Sequence, residues 1–164
     1  MEYIMSMATI ARKPVAQFVP STSPSKAARI QPGRSLGLKQ MEIPTLLKVI
    51  TSGLRWSAVE SFLQESGFTQ LQLAQYLGIP VRTLARRKEV DGLDENESER
   101  LLRLSEIYDA VLDLFSGDKA DAREWLLSPV RGLNNSRPID YARTDFGARE
   151  VRNLIGRLEH GVFS

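Results

Sequence analysis

The 164-residue sequence contains no cysteine and only one histidine, His160. The absence of thiols excludes disulfides, zinc–thiolate sites and cysteine nucleophiles, and a lone histidine cannot form a His-rich metal site. No run approaches the roughly 18 consecutive apolar residues of a membrane span, and no apolar signal core is present. Strand-like alternation does not persist, whereas helical spacing dominates from Thr45 onward. We therefore expect a cytoplasmic, all-α protein without a metal or cofactor.

Charge is divided unevenly along the chain. Residues 1–92 carry 12 Lys and Arg against 6 Asp and Glu, a net +6, whereas residues 93–164 carry 10 against 14, a net −4. A polymer of phosphates would be attracted to the first part and repelled by the second. We therefore expect two surfaces with two different partners.

The stretch TQLQLAQYLGIPVRTLARRK, residues 69–88, predicts two short helices joined by a tight turn. Thr69 and Gln72 form a capping box that starts the first helix. Gly78 stands where a helix ends in a left-handed conformation. Pro80 begins the second helix, where its missing N–H does no harm.

The spacing of Ala74, Gly78 and Leu84 is that of a DNA-binding helix-turn-helix, in which two helices must approach closely. Four cations lie within seven residues on the second helix, which would enter the major groove. The candidates for contact with base edges are Arg82, Thr83 and Arg86, and those for contact with phosphates are Thr69, Gln70, Arg87 and Lys88. A helix pair with a solvated basic face that never meets DNA is the alternative interpretation.

Arg87 is an irregular feature, because the position three after Leu84 is usually apolar in this motif. Two alternatives follow: the recognition helix ends early, or Arg87 extends across its neighbours.

Three regions are predicted along the chain. Residues 1–42, rich in Pro, Ser and basic residues, are expected to form a disordered basic tail. A mobile tail without a role is favoured over an arm that follows DNA, and Met5 or Met7 would also allow a later start. Residues 43–92 form the helix-turn-helix domain and residues 93–164 a second helical domain.

The longest predicted helix runs from Glu95 to Phe115 and carries an apolar stripe wider than one partner helix requires. Such a stripe suits a helix packed on both sides, or one that meets a second subunit. Ser57 and Glu60 predict another capping box. Carboxylate pairs are interpreted as helix starts and not as acid–base machinery; these are Glu97 with Glu99, and Asp118 with Asp121. Trp125 is interpreted as a core residue and Gly147 as a site of close packing.

The order of residues from Leu77 to Phe163 is more specific than the helix-turn-helix alone. It includes LGIP, RTL and RR in the first motif, ADAREWL at 120–126, and then Pro129, Pro138, Gly147, Val151 and LEHG at 158–161. This order resembles the Xre/MbcA/ParS family of antitoxins, in which an Xre-type helix-turn-helix precedes a helical toxin-binding domain. Asn134 and Asn135 stand where a Gly-rich turn is more usual, which leaves the geometry of that loop open.

The resemblance implies a type II toxin–antitoxin pair and no enzymatic activity. The implied partner is a RES-domain toxin with an ADP-ribosyltransferase-like fold that consumes NAD. The antitoxin would mask the toxin's active site and repress the shared operon by binding operator DNA. Since helix-turn-helix proteins usually read paired half-sites, we also expect a homodimer within a larger toxin–antitoxin complex.

The C-terminal residues are the candidate toxin contacts. A helix ended by Gly161 would point an apolar ring and the terminal carboxylate outward, where they could plug a pocket shaped for a base and phosphates. The resemblance favours this plug over a tail folded back on its own domain. The assigned residues are Glu159, His160, Gly161, Val162, Phe163 and Ser164.

Two other functions remain open from the sequence. One is a stand-alone transcription regulator whose second domain senses a ligand or dimerises. The other is a protein-binding inhibitor whose helix-turn-helix is vestigial. No glycine-rich phosphate cradle is present, so nucleotide binding by this chain has no support.

Overall fold

A computed structural model describes residue 31 and residues 33–161. In this part of the chain the fold is all-α, as the sequence predicts. The helices are α1 (Ile43–Ser52), α2 (Trp56–Ser66), α3 (Gln70–Leu77), α4 (Val81–Glu89), α5 (Glu95–Leu114), α6 (Lys119–Leu127), α7 (Pro138–Tyr141) and α8 (Asp145–Glu159). The secondary structure also includes two 3-10 turns, Arg34–Leu36 and Arg131–Leu133, and an isolated bridge between Val130 and Ser136.

Helix α5 is the axis of the fold. It packs against α1, α2 and α3 of the first region and against α6 and α8 of the second. Leu104, Ile107 and Val111 on this helix are fully buried. Much of the wide apolar stripe predicted for α5 is therefore used within its own chain, as expected for a helix packed on both sides. Contact of α5 with a second subunit stays a prediction.

The two predicted regions share one hydrophobic core. Buried side chains from the helix-turn-helix and from α6 to α8 form a single cluster around α5. Tyr108 on α5 donates a hydrogen bond to the backbone oxygen of Glu65 at 2.9 Å, and its ring meets Phe62 edge-on. Helix α5 lies wholly in the second region but packs against helices of both. The division between residues 92 and 93 therefore does not separate two cores, and it remains a prediction about function.

The segment just before α1 differs from the predicted tail, which was expected to extend to residue 42. Leu36 is 2% exposed, and the backbone N–H of Ser35 donates to Asp109 Oδ1 at 3.2 Å. Arg34 forms an ion pair with Asp113 at 2.7 Å. These contacts anchor the 3-10 turn on α2 and α5. The sequence did not predict these contacts, because only isolated side chains of this segment are buried and they form no helical repeat. The remaining tail residues, 1–30 and 32, lie outside the described residues.

Three helix starts follow the sequence, and the start of α2 departs from it. The Thr69–Gln72 capping box is confirmed, and Asp94 with Glu97 forms another at the start of α5. Asp118 caps α6, as its pairing with Asp121 predicts. The Ser57–Glu60 box is wrong: α2 begins at Trp56, and the indole N–H donates to Glu60 Oε1 at 2.8 Å, so that carboxylate is engaged elsewhere.

Candidate DNA-binding and partner-binding surfaces

The turn between α3 and α4 has the geometry that the sequence predicts. Gly78 adopts φ 70°, and the N–H groups of Gly78 and Ile79 bond to the backbone oxygens of Gln75 and Ala74. These two hydrogen bonds close α3 in a Schellman motif. Pro80 caps α4, which starts one residue later, at Val81. The sharp reversal places α4 across α3 with Arg82, Arg86 and Lys88 on the outer surface.

Arg82 and Arg86 lie four residues apart on the exposed face of α4, one turn above the other. Neither guanidinium has an ion-pair partner among the residues that the structure describes. Together with Thr83, Ala85 and Glu89 they line a shallow groove of about 380 Å³. Two unpaired guanidinium groups on one turn of a helix can bind guanine edges or phosphates.

The other predicted DNA contacts differ in their availability. Lys88 is exposed and lies 3.8 Å from Glu60, a loose surface pair. Gln70 is exposed at the start of α3, whereas the hydroxyl of Thr69 accepts from Gln72 N as the helix cap. Thr83 is only partly exposed.

Arg87 does not face the groove. Its Nε lies 2.8 Å from Glu97 Oε2, and one terminal nitrogen lies 2.9 Å from Asp94 Oδ2. These bonds raise the pKa of Arg87, the one to Glu97 most strongly. Helix α4 continues to Glu89, so it does not end early. The side chain of Arg87 extends back to α5, where it pairs with Asp94 and Glu97. A phosphate contact by Arg87 therefore stays a prediction, and it would require this pairing to open.

A second groove, of about 470 Å³, lies between α3 and the short helix α7. Gln72 and Gln75 line one wall, and Arg137, Asp140 and Arg143 line the other. Arg137 is already bonded to Asp140 through two hydrogen bonds, at 2.7 and 3.1 Å. The charges of Arg137 and Asp140 in this groove are therefore already paired with each other.

The loop after α6 resolves the geometry that Asn134 and Asn135 left open. Both residues adopt positive φ, 53° and 57°, which asparagine tolerates better than most residues with a Cβ. Gly147 permits the close approach predicted for it, because a Cβ there would stand 2.0 Å from the backbone oxygen of Tyr141.

Trp125 differs from its predicted role. It is only partly buried, and the fully buried side chains of α6 are Ala122 and Leu126. The core places the smaller residues inward because α6 lies close against α5. The tryptophan packs at the margin.

The candidate toxin contacts fall at the end of α8. Glu159, His160 and Gly161 are exposed, and Gly161 ends the helix with φ 64°. Val162, Phe163 and Ser164 lie outside the described residues. Phe146, 71% exposed on the first turn of α8, was missed by the sequence analysis. The sequence could have predicted this exposure, because helical spacing places Phe146 opposite the apolar stripe formed by Ala148, Val151 and Ile155.

Groups that could hold a metal ion and helices that could span a membrane are both absent from the described part of the chain. It holds no group of three or more potential metal-ligating side chains. None of its helices is both long and apolar enough to cross a bilayer.

Comparison with known proteins matches two family models to adjoining parts of the chain. Residues 45–106 match the antitoxin Xre-like helix-turn-helix domain, and residues 110–161 match the antitoxin Xre/MbcA/ParS C-terminal toxin-binding domain. The two matches meet inside α5.

Two relatives, both named antitoxin Xre, match over most of their length. The one from Yersinia enterocolitica serotype O:8 is 39% identical over 132 residues, which is 80% of this chain and 89% of that protein. The one from Photorhabdus laumondii is 35% identical over the same shares. A chain in the crystal structure of the M. tuberculosis MbcT–MbcA toxin–antitoxin complex shares the fold, with a TM-score of 0.52 and 22% identity over 73% of this chain and 97% of that chain.

Proposed function

The chain belongs to the Xre/MbcA/ParS family of antitoxins, and on that premise we propose that it neutralises a RES-domain toxin and represses its own operon. As an antitoxin it is a binding protein and not an enzyme. The observation that carries the proposal is the joining of two matched domains, one helix-turn-helix and one toxin-binding, around a single central helix.

The DNA-binding part of the proposal rests on the exposed face of α4. Arg82 and Arg86 would meet base edges in the major groove, with Thr83 at the margin. Lys88, Thr69 and Gln70 would meet phosphates on either side. Helix-turn-helix proteins read paired half-sites, so operator binding by a homodimer in the cytoplasm is part of the proposal.

The toxin-binding part rests on the exposed end of α8. Glu159, His160 and Gly161, followed by residues 162–164, would enter the catalytic cleft of the toxin and block access of NAD. Phe146 is a further candidate contact, because exposed aromatic side chains are enriched at the centres of protein interfaces.

One experiment tests both activities. The chain is co-expressed with its neighbouring gene, and the purified material is assayed for a bound second protein, for NAD consumption and for binding to the upstream promoter. We expect a stable complex that does not consume NAD until the antitoxin is removed, and salt-dependent binding to the promoter. A neighbour that neither binds nor consumes NAD would refute the toxin assignment. Promoter binding without any partner would favour the stand-alone regulator.

A further inference from the structure

We propose that Arg87 is a positioning residue for DNA recognition, which fixes the orientation of α4 by attaching it to the start of α5. This inference rests on the proposed operator binding. It changes the role of Arg87 from a contact with DNA to a support for the residues that make such contacts.

Helix α4 needs such a support because its apolar anchoring is slight. It has nine residues, and Leu84 is its only buried side chain. Its main packing partner is α3. A helix held by one buried side chain can rotate about its own axis and pivot at that point. In this motif a second apolar residue usually stands three positions later, and Arg87 occupies that position.

The geometry of Arg87 supplies a second attachment point. Its Nε and one terminal nitrogen both bond to Glu97 Oε1, at 3.1 and 2.9 Å, and the terminal nitrogen also reaches Asp94. A planar guanidinium with several bonds restrains direction as well as distance. The side chain of Arg87 is only 22% exposed, and that of Glu97 only 4%.

The carboxylates are themselves fixed. Asp94 and Glu97 form the capping box of α5, with Asp94 Oδ1 accepting from Glu97 N at 2.8 Å and Glu97 Oε2 accepting from Asp94 N at 3.0 Å. Helix α5 is the packed axis of the molecule. Arg87 thus attaches the recognition helix to α5, the helix around which the rest of the fold packs.

The attachment of α4 matters for DNA binding because hydrogen bonds to bases tolerate little change in the position of the donor. Recognition groups must be held to within about 0.5 Å and 10–20° to make directional hydrogen bonds. Without the attachment, α4 would present Arg82 and Arg86 in a range of orientations, and only a fraction of these would fit the groove. The apparent affinity falls by that fraction.

Three single variants separate positioning from direct contact: Arg87→Gln, Glu97→Gln and the matched control Lys88→Gln. The dissociation constant for the upstream promoter is measured over a range of salt concentrations. Loss of a phosphate contact lowers the slope of log K against log salt by about 0.9. We expect this for Lys88→Gln. For Arg87→Gln we expect an increase in Kd of about tenfold with the slope unchanged.

Glu97→Gln is the most discriminating variant. It makes the protein more positive and leaves Arg87 paired only with Asp94, so simple electrostatics predicts tighter DNA binding. Positioning predicts the opposite, a weakening similar to that of Arg87→Gln. The variant Arg87→Lys keeps a charge near Glu97 but lacks the planar group that fixes direction, so we expect a weakening smaller than that of Arg87→Gln. A variant Arg87→Lys that binds more weakly than Arg87→Gln would contradict the inference.

Stability is controlled separately, because Arg87→Gln leaves the buried Glu97 unpaired. The double variant Arg87→Gln/Glu97→Gln removes both charges and should bind the promoter as weakly as Arg87→Gln does. Toxin binding by every variant reports that the fold is intact. Tighter binding by Glu97→Gln, wild-type affinity of the double variant, or a slope lowered by about 0.9 in Arg87→Gln would overturn the inference. Absence of promoter binding by the wild type would instead refute the proposed function on which it rests.

Discussion

The phenolic oxygen of Tyr76 donates a hydrogen bond to the backbone oxygen of Ala142, 2.9 Å away. Tyr76 lies on α3, in the helix-turn-helix, and Ala142 lies between α7 and α8. Burial raises the pKa of Tyr76 to about 12, so the hydroxyl remains a neutral donor at every pH at which the protein is expected to work. This bond joins the two functional parts directly, in addition to their shared packing on α5.

Removal of this hydroxyl by Tyr76→Phe should lower the free energy of unfolding by about 1–1.5 kcal/mol, since a buried hydrogen bond is lost. Urea denaturation followed by circular dichroism measures the change. The control is Tyr141→Phe, whose hydroxyl has no hydrogen bond within the described residues; we expect a change within about 0.5 kcal/mol. Both proteins should unfold in one transition, and two separate transitions would show that the parts are not coupled.

Two glycines on α8 should respond in opposite directions to alanine. Gly147→Ala would place a Cβ 2.0 Å from the backbone oxygen of Tyr141, so the chain must shift, and we expect a loss of about 1–3 kcal/mol in stability. A Cβ at Gly156 would meet nothing within 4 Å. Gly156→Ala should therefore stabilise α8 by about 0.5–1 kcal/mol through helix propensity. Thermal unfolding of the pair measures both effects, and equal melting temperatures would contradict the packing.

Asp109 should give the protein a pH-dependent stability. Burial raises the pKa of this carboxyl above its usual 3.8, in spite of hydrogen bonds from Ser35 and the charge of Arg34. The native state therefore holds the proton more readily than the unfolded chain does. Its contribution to the free energy of unfolding grows as the pH falls through the folded pKa towards 3.8, and disappears as the pH rises above that folded pKa.

The variant Asp109→Asn has no such titration. The melting temperature of the wild type minus that of the variant should therefore rise as the pH is lowered from 7 to 4. Scanning calorimetry at several pH values measures this difference. Parallel curves, or a difference that falls at low pH, would show that Asp109 does not titrate as its burial indicates.

The two proposed binding surfaces should be separable by mutation. Arg82→Ala with Arg86→Ala should weaken promoter binding by at least tenfold, because each guanidinium contact to a base is worth about 1–3 kcal/mol. Neutralisation of the toxin should be unchanged, since α8 lies outside the altered face. A growth assay with the toxin, beside a mobility-shift assay, checks both. Loss of neutralisation in a folded variant would mean that the surfaces overlap.

Deletion of residues 162–164 is the reciprocal change. Toxin activity should return at least in part, while promoter binding stays at the wild-type level. A truncated protein that silences the toxin completely would show that the C-terminal residues are not the plug, and would direct attention to Phe146 and its surroundings.

Features set by neighbouring residues were predictable from the sequence. The end of α3 at Gly78 and the capping box at Thr69 depend on hydrogen bonds that span at most five residues, so the residue types themselves carry the information. The same holds for the all-α class, which helical spacing announces. The Ser57–Glu60 box was predicted wrongly, although its outcome is also local. The indole of Trp56, one residue before Ser57, donates to the carboxylate of Glu60.

Features set by distant neighbours were decided only by the tertiary structure. The sequence left Arg87 as an irregularity, because its partner Glu97 lies ten residues away on another helix and becomes a partner only when α4 and α5 meet. Likewise, the sequence allowed the stripe on α5 to face a second subunit and allowed Trp125 to fill the core. Leu36 lies outside any helical repeat of apolar residues, so the sequence did not predict its burial. The sequence thus determined which helices form and the ends that local caps define, since hydrogen bonding along the backbone is local. The packing of the other helices around α5 decided which side chains become paired, which become buried and which remain free to bind a partner.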